Sequence, residues 1–128
     1  MNAAHLIYVI DDDRDVRASI VFMLGAEGRE SRSFASGFEF MEALPKLAPG
    51  CILLDIRMPG MSGIDVLDSL ARREVHWPVV MMSGHGEREI AQQTVSRGAL
   101  DFLEKPFDEG VLLACLDRFC ATLPSAKV

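Results

Sequence analysis

Side chains that could do chemistry follow four short apolar segments of the sequence. They are the carboxylates of Asp11, Asp12 and Asp13, the carboxylate of Asp55, the hydroxyl of Ser83, and the charged segment Glu104-Lys105-Pro106. If the four segments are parallel strands of one sheet, their carboxyl ends meet at the same edge of that sheet. Three of the carboxylates (those of Asp11, Asp12 and Asp55), one hydroxyl and one ammonium group would then share a small volume.

The electrostatics of such a cluster favour a divalent cation. Carboxylates within about 4–6 Å of one another raise each other's pKa, because each negative charge disfavours ionisation of the next. A hard cation removes this repulsion, and a site with few carboxylates and room for water suits Mg²⁺, with Mn²⁺ as a substitute. We predict Asp12 and Asp55 as direct ligands, and Asp11 as a ligand either directly or through water.

Asp55 is the candidate nucleophile of this site. An ionised carboxylate needs no general base, so Asp55 could form an acyl phosphate by direct attack. Lys105 would supply a positive charge to one phosphoryl oxygen, and Ser83 a hydrogen-bond donor to another. The cation would neutralise a third oxygen during transfer. The pattern therefore predicts phosphoryl transfer onto Asp55.

Each of these residues taken alone has a simpler explanation. An aspartate after a strand commonly caps a helix, and we assign that role to Asp13. Lys105 alone would be a solvated surface lysine, and Ser83 alone a turn residue. Their occurrence at successive strand ends is what favours one joint site.

The elements that must position these residues alternate between strand and helix. Apolar runs rich in β-branched residues are typical of strands buried on both faces of a parallel sheet. They occur at Leu6–Ile10, Cys51–Leu54, Val79–Met82 and, more weakly, Ala99–Leu103, and a polar edge strand is predicted at Arg29–Phe34. Segments with helical periodicity follow each of them. We therefore predict an α/β fold, (βα)5 doubly wound, with five parallel strands in the flavodoxin-like order 2-1-3-4-5.

The helices have recognisable ends and apolar stripes. Ser36 with Glu39, and Ser62 with Asp65, have the spacing of capping boxes that open the second and third helices. The fourth, predicted over residues 87–97, has few apolar residues, and Asp108 is expected to cap the fifth. The weak apolar stripe of the fourth helix suits an element that moves.

Composition restricts the class of protein. The chain has 128 residues, a formal charge of −6 and no apolar run long enough to span a membrane. The charge argues against nucleic-acid binding by this domain. Three cysteines without a C-x-x-C pair are expected to be reduced, buried thiols, with a metal site or redox pair as the less favoured alternative. We expect a cytoplasmic protein that has no membrane partner.

The same residues lie within motifs of a known family. The stretches are Val9-Ile10-Asp11-Asp12-Asp13, Leu54-Asp55-Ile56-Arg57-Met58-Pro59-Gly60-Met61-Ser62-Gly63, Ser83-Gly84-His85-Gly86, and Asp101-Phe102-Leu103-Glu104-Lys105-Pro106-Phe107. Their order and spacing resemble those of response regulator receiver domains of two-component systems, especially the FixJ-like subfamily. The resemblance extends from about Leu6 to Phe119.

The resemblance implies a role for each site residue. Asp55 matches the phosphoacceptor, Asp11 and Asp12 match the acidic pair that holds Mg²⁺, and Lys105 matches the phosphate-contacting lysine. Arg57, two residues after the phosphoacceptor, would give its backbone carbonyl to the metal. The bond from Lys105 to Pro106 is typically cis in such domains.

The resemblance also implies switch residues. Ser83 matches the hydroxyl residue that moves to the phosphoryl group, and Phe102 occupies the position of the switch aromatic, although simple core packing would also explain a phenylalanine. The side chains of Arg57 and His85 lie where receivers modulate the lifetime of the acyl phosphate.

The predicted function is a phosphoacceptor switch that is not a turnover enzyme. A sensor histidine kinase or phosphotransfer protein would be the phosphoryl donor, and phosphorylation would alter the surface of the fourth helix, fifth strand and fifth helix. Homodimerisation on phosphorylation is a further expectation. Residues 1–123 are predicted as the receiver domain, and residues 124–128 as a tail or the start of a linker.

Three alternatives remain at this point. An Asp-nucleophile phosphatase of the haloacid dehalogenase type would want an acid–base aspartate where Arg57 stands. A flavodoxin-like FMN binder needs a phosphate loop after the first strand, where Asp11, Asp12 and Asp13 would repel phosphate. A receiver-like interaction module that is never phosphorylated usually lacks part of the site, and here every element is present.

Overall fold

The computed structural model describes residues 6–120, which alternate between strands and helices along the chain. The strands are β1 (Leu6–Ile10), β2 (Ser31–Phe34), β3 (Gly50–Asp55), β4 (Val79–Ser83) and β5 (Asp101–Glu104). The helices are α1 (Arg14–Ala26), α2 (Gly37–Ala43), α3 (Gly63–Arg72), α4 (Arg88–Val95) and α5 (Glu109–Cys120), and a 3₁₀ turn at Leu44–Lys46 follows α2. The predicted boundary between domain and tail, at residues 123 and 124, lies outside the described residues.

All strands are parallel, in the order β2-β1-β3-β4-β5. The predicted fold class and strand order are therefore confirmed, and the polar strand β2 lies at an edge as expected. Arg29 and Glu30 do not belong to β2, because the Arg29 N–H donates to the Leu24 carbonyl and so closes α1 (2.9 Å). In the central strand β3, every residue is buried.

The two faces of the sheet carry separate hydrophobic cores. Alternate residues of β1, β3 and β4 point to opposite faces: Ile52 and Leu54 join a core with α2, α3 and α4, whereas Cys51 and Leu53 join a core with α1 and α5. Continuous apolar strands are needed because both faces are covered. The three cysteines are free and buried, as predicted.

The helix ends largely follow the predicted caps. Asp13 accepts hydrogen bonds from two N–H groups in the first turn of α1, and Ser62 with Asp65 forms a complete capping box on α3. The Ser36 hydroxyl caps α2 as expected, but the Glu39 carboxylate accepts the N–H of Ala35 (3.2 Å) rather than that of Ser36. None of the described helices is long and apolar enough to cross a membrane.

Candidate functional site

Asp55 is held at the base of the site by the most buried strand. It ends β3, lies beside Met82 of β4, and is only 5% exposed. The first residue of α3, Gly63, packs directly against it, because a Cβ at Gly63 would lie 2.2 Å from the Asp55 carbonyl oxygen. Only glycine allows α3 to begin this close to the strand end. The position of Asp55 is thus fixed by backbone packing.

Asp11 is fully buried, and both of its carboxylate oxygens have donors. Oδ1 accepts the N–H of Asp13 (2.9 Å), and Oδ2 accepts from the Lys105 ammonium (2.8 Å). Arg17 donates to the Asp11 backbone carbonyl (2.7 Å) and so ties α1 to the end of β1. The neighbouring Asp12 is exposed, so its carboxylate faces solvent at the mouth of the site.

Lys105 bridges the two buried carboxylates. Its Nζ lies 2.8 Å from Asp11 Oδ2 and 3.0 Å from Asp55 Oδ1. The Lys105 N–H donates to the Ser83 carbonyl (2.8 Å), which anchors the residue to the end of β4. The Lys105–Pro106 peptide bond is cis, as the resemblance implied. The ammonium is thereby aimed across the sheet edge at Asp55.

The charges of this cluster do not balance. Burial, together with the negative charges of Asp11 and Asp12, raises the pKa of Asp55 to about 7, although the hydrogen bond from Lys105 opposes the rise. Burial alone would lower the pKa of Lys105, but its hydrogen bonds to Asp11 and Asp55 prevail and raise that pKa. One ammonium therefore does not compensate three carboxylates.

The donor set fits a hard divalent cation. Carboxylate oxygens of Asp11, Asp12 and Asp55 lie within 4.8 Å of one another, and residues 6–120 contain no other such group of three or more His, Cys, Asp or Glu side chains. Oxygen-only ligands beside solvent are what Mg²⁺ prefers. The same cation would supply the positive charge that this cluster lacks. The structure therefore brings together the carboxylates predicted as metal ligands.

The two predicted switch residues belong to the neighbouring strands β4 and β5. Ser83 is buried, and its hydroxyl donates to the Leu103 carbonyl of β5 at 3.4 Å, a long hydrogen bond. Phe102 is partly buried and packs against the core formed with α2, α3 and α4. In this arrangement, Ser83 uses its donor on β5 rather than at Asp55.

The predicted modulators differ in their surroundings. His85 is exposed, and the Arg57 side chain, 67% exposed, turns to an acid that the sequence analysis did not single out. That acid is Glu87, whose Oε2 lies 2.5 Å from Arg57 Nε and whose Oε1 accepts the N–H of Gly84 (2.6 Å). A signal for it exists in the sequence, since an acid three residues after a loop N–H has the spacing of a capping box.

The chain matches the family model of the response regulator receiver domain over residues 7–117. The transcriptional regulatory protein FixJ of Azorhizobium caulinodans is 42% identical over 86% of this chain and 52% of the relative. FixJ of Bradyrhizobium diazoefficiens is 40% identical over 87% of this chain and 54% of the relative. The chain thus spans about half the length of the curated relatives that it matches.

Solved structures give the same result. Full-length FixJ from B. japonicum superimposes with a TM-score of 0.91 at 38% identity, covering 98% of this chain and 63% of that one. FixJ-N gives a TM-score of 0.90 at 31% identity, covering 97% of this chain and 98% of that one. The receiver domain of NtrX from Brucella abortus gives a TM-score of 0.86 at 36% identity, covering 91% of this chain and 99% of that one.

Proposed function

Since the chain belongs to the response regulator receiver domain family, we propose that Asp55 is its phosphoacceptor and that phosphorylation of Asp55 switches the domain between two states. The observation that carries the proposal is the geometry of Asp55: a buried carboxylate at a strand end, 3.0 Å from an ammonium and beside two further acids. No separate general base is needed, because the ionised carboxylate is itself the nucleophile.

The proposed reaction moves one phosphoryl group. A carboxylate oxygen of Asp55 attacks the phosphorus of a phosphohistidine on the donor protein, and an acyl phosphate forms. The P–N bond breaks, and its electron pair returns to the imidazole nitrogen of the donor. Hydrolysis of the acyl phosphate on the same protein would reset the switch. The domain is thus modified and restored rather than turning over a separate substrate.

Asp11, Asp12 and Asp55 would hold Mg²⁺, with Mn²⁺ as a substitute, and the backbone carbonyl of Arg57 would complete the protein ligands. When bound, the cation supplies positive charge to a phosphoryl oxygen and to the crowded carboxylates. Asp11 already accepts two hydrogen bonds, which supports a ligand role through water for it. Exposed Asp12 and the nucleophile Asp55 are the better direct ligands.

Lys105 positions and stabilises the transferred group. Its ammonium now rests between Asp11 and Asp55, so it lies next to the point where phosphoryl oxygens appear. As Asp55 becomes phosphorylated, the ammonium keeps its bond to Asp11 and turns its remaining hydrogens to the phosphoryl group. Positioned cations of this kind stabilise the charge of the transition state in phosphoryl transfer.

Ser83 is the proposed link between chemistry and response. Its hydroxyl would leave the Leu103 carbonyl, to which its hydrogen bond is long, and donate to a phosphoryl oxygen. The loop between β4 and α4 would move with it, and Phe102 would repack beside the vacated space. The phosphoryl group shifts the population only as far as it binds this second state better than the first.

The phosphoryl donor is proposed to be a sensor histidine kinase or a phosphotransfer protein. A groove between α1 and the segment after β5 opens beside Lys105, and it would receive an apolar helix of the donor. Its other lining residues are Asp15, Val16, Ser19, Ile20, Met23, Pro106 and Phe107. Because Lys105 lines this groove and also contacts Asp55, a donor bound there would lie near the proposed phosphoacceptor.

The response is proposed to reach the surface formed by α4, β5 and α5. Exposed apolar side chains lie on or beside these elements at Val95, Leu100 and Val111. A change in the positions or exposure of these side chains would alter contacts with an output partner or with a second copy of the chain. Arg57 and His85, at the mouth of the site, are proposed to set the lifetime of the acyl phosphate.

Intact mass spectrometry after incubation with acetyl phosphate tests the proposal. The wild-type chain should gain one phosphoryl group when Mg²⁺ is present and none after chelation. Asp55→Ala should gain none under either condition, whereas Asp117→Ala, a change at an exposed aspartate of α5, should behave as wild type. A gain of equal size in Asp55→Ala would contradict the assignment of the phosphoacceptor.

A further inference from the structure

Glu87 makes two charged contacts at the edge of the site that the phosphoryl-transfer scheme does not use. Its carboxylate accepts the Gly84 N–H at 2.6 Å and meets Arg57 Nε at 2.5 Å. The Glu87 side chain is only 12% exposed, although it stands in a loop at the protein surface. Because the Glu87 carboxylate is largely shielded from solvent, water competes with its contact to the Gly84 N–H less than it would at an exposed acid, whereas the Arg57 side chain, 67% exposed, is partly screened.

The backbone around Glu87 shows that its side chain is turned toward the site. Glu87 is the N-cap residue of α4, yet its side chain caps none of the helix N–H groups. The carboxylate points back over the loop instead, and the Glu87 N–H donates to the Gly84 carbonyl (3.2 Å). Gly86, with a φ of +84°, allows this tight reversal. The loop from Gly84 to Glu87 is thus closed on itself by two hydrogen bonds.

Both partners of Glu87 are attached to functional residues. Gly84 shares a peptide unit with Ser83, whose hydroxyl is proposed to move toward the phosphoryl group. Arg57 follows Asp55 by two residues and lies in the connection between β3 and α3. A rigid link from Glu87 to both would therefore resist any movement of the β4–α4 loop relative to Asp55.

We propose that Glu87 is a positioning residue that stabilises the unphosphorylated arrangement by competing, as an internal anion, with the phosphoryl group on Asp55. This inference rests on the proposed function, because it requires Ser83 to move when Asp55 is modified. The phosphoryl group carries more negative charge than one carboxylate. It would repel Glu87 and attract Arg57, so the two contacts of Glu87 break as α4 is released.

The competition has a measurable consequence for an unreactive phosphoryl mimic. Beryllofluoride with Mg²⁺ should bind Glu87→Ala about tenfold more tightly than wild type, because that variant has lost the charged hydrogen bonds of the resting state. Glu87→Gln keeps an acceptor for the Gly84 N–H and loses the ion pair with Arg57, so its affinity should fall between the two. Glu89→Ala removes an exposed acid in the first turn of the same helix and should match wild type.

A second readout needs neither metal nor mimic. In the metal-free protein, the Gly84 amide should exchange with solvent about tenfold faster in Glu87→Ala than in wild type or Glu89→Ala, because its acceptor is gone. Amides in β3 should keep their wild-type rates. A general loss of structure would accelerate both sets, so the comparison separates a positioning role from simple destabilisation.

The outcomes separate this inference from the function on which it rests. Tighter binding by Glu87→Ala together with selective exchange at Gly84 would support the proposal. A wild-type chain that binds beryllofluoride while Glu87→Ala binds no more tightly than Glu89→Ala would overturn the inference alone. A wild-type chain that binds no beryllofluoride in the presence of Mg²⁺ would overturn the proposed function, and this inference with it.

Discussion

Two sides of the site differ in how firmly the fold holds them. The acceptor side, formed by Asp11, Asp12, Asp55 and Lys105, centres on the ends of β1 and β3, and every residue of β3 is buried. The response side, formed by Ser83, Glu87, Phe102 and α4, is less enclosed. Only Ala91 and Thr94 of α4 are buried, and only one residue of β5.

This difference teaches how one small domain can combine chemistry with movement. A nucleophile must keep its position within fractions of an ångström, which continuous burial of the central strands provides. An element that moves must open at a low free-energy cost, and α4 buries little apolar surface. The long Ser83–Leu103 hydrogen bond lies where the two sides meet.

The largest expected effect comes from removing the ammonium of the acceptor side. Lys105→Met should slow phosphorylation of Asp55 by acetyl phosphate about 100-fold, equivalent to about 2.7 kcal/mol of transition-state stabilisation. The rate of mass gain measures this effect. Lys46→Met, which removes an exposed lysine after α2, is the control and should be unaffected. A rate within twofold of wild type would show that Lys105 does not serve the transfer.

The next effect concerns the rigidity of the acceptor side. Gly63→Ala should lower the free energy of unfolding by about 2–3 kcal/mol, because its Cβ would collide with the Asp55 carbonyl. Gly25→Ala is the matched control: nothing lies within 4 Å of a Cβ there, and alanine should stabilise α1 by about 0.5–1 kcal/mol. Urea unfolding compares the two variants. If the two substitutions changed the free energy of unfolding equally, the contact between Gly63 and Asp55 would not be what holds Asp55 in place.

A pH effect follows from the charge imbalance on the acceptor side. The pKa of Asp55 is about 7 in the folded protein against an ordinary value of 3.8, so the folded state retains a proton that the unfolded state releases between these values. The contribution of Asp55 to the stability of the metal-free protein is therefore complete below this window and is lost as the pH rises through it.

Asp55→Asn should remove this pH dependence. Urea unfolding with a chelator should find the variant more stable than wild type by about 1–3 kcal/mol at about pH 8, and the difference should shrink toward about pH 4. Mg²⁺ should narrow the gap at the higher pH by stabilising the wild type. A stability difference that does not change with pH would contradict the raised pKa.

The smallest effect is expected on the response side. Phe102→Leu should cost about 1 kcal/mol of stability, since the ring is only partly buried, and should leave the rate of phosphorylation unchanged. The amide chemical shifts of α4 should respond less to beryllofluoride than in wild type. Phe22→Leu, at a ring that is 76% exposed, is the control. A slowed phosphoryl transfer in Phe102→Leu would remove the distinction between the two sides.

The acceptor side was the more predictable of the two from sequence. Strands buried on both faces must be continuously apolar, so their ends and the residues that follow, including Asp11 and Asp55, can be read directly. Parallel topology then brings those ends together without further information. The spacing of residues does not determine where a side chain points. The sequence therefore could not predict that Asp11 is fully buried or that Lys105 bridges Asp11 and Asp55.

The response side was predicted less completely, for physical reasons. Glu87 has capping-box spacing from Gly84, but that spacing gives no indication of the contact with Arg57, which depends on the reversal of the loop at Gly86. The predicted helix over residues 87–97 is shorter in the structure, Arg88–Val95, because a segment with few apolar contacts has weakly determined ends. Position in the sequence also could not show that Ser83 bonds to Leu103.

The most direct test of the central claim is to locate the phosphoryl group. Borohydride reduces an acyl phosphate of aspartate to homoserine, and tandem mass spectrometry of the treated protein identifies the residue converted. After phosphorylation with Mg²⁺ and acetyl phosphate, we predict homoserine at position 55 alone, and none without Mg²⁺. Conversion at Asp11 or Asp12, or a phosphoryl group retained on a serine or histidine, would contradict the account.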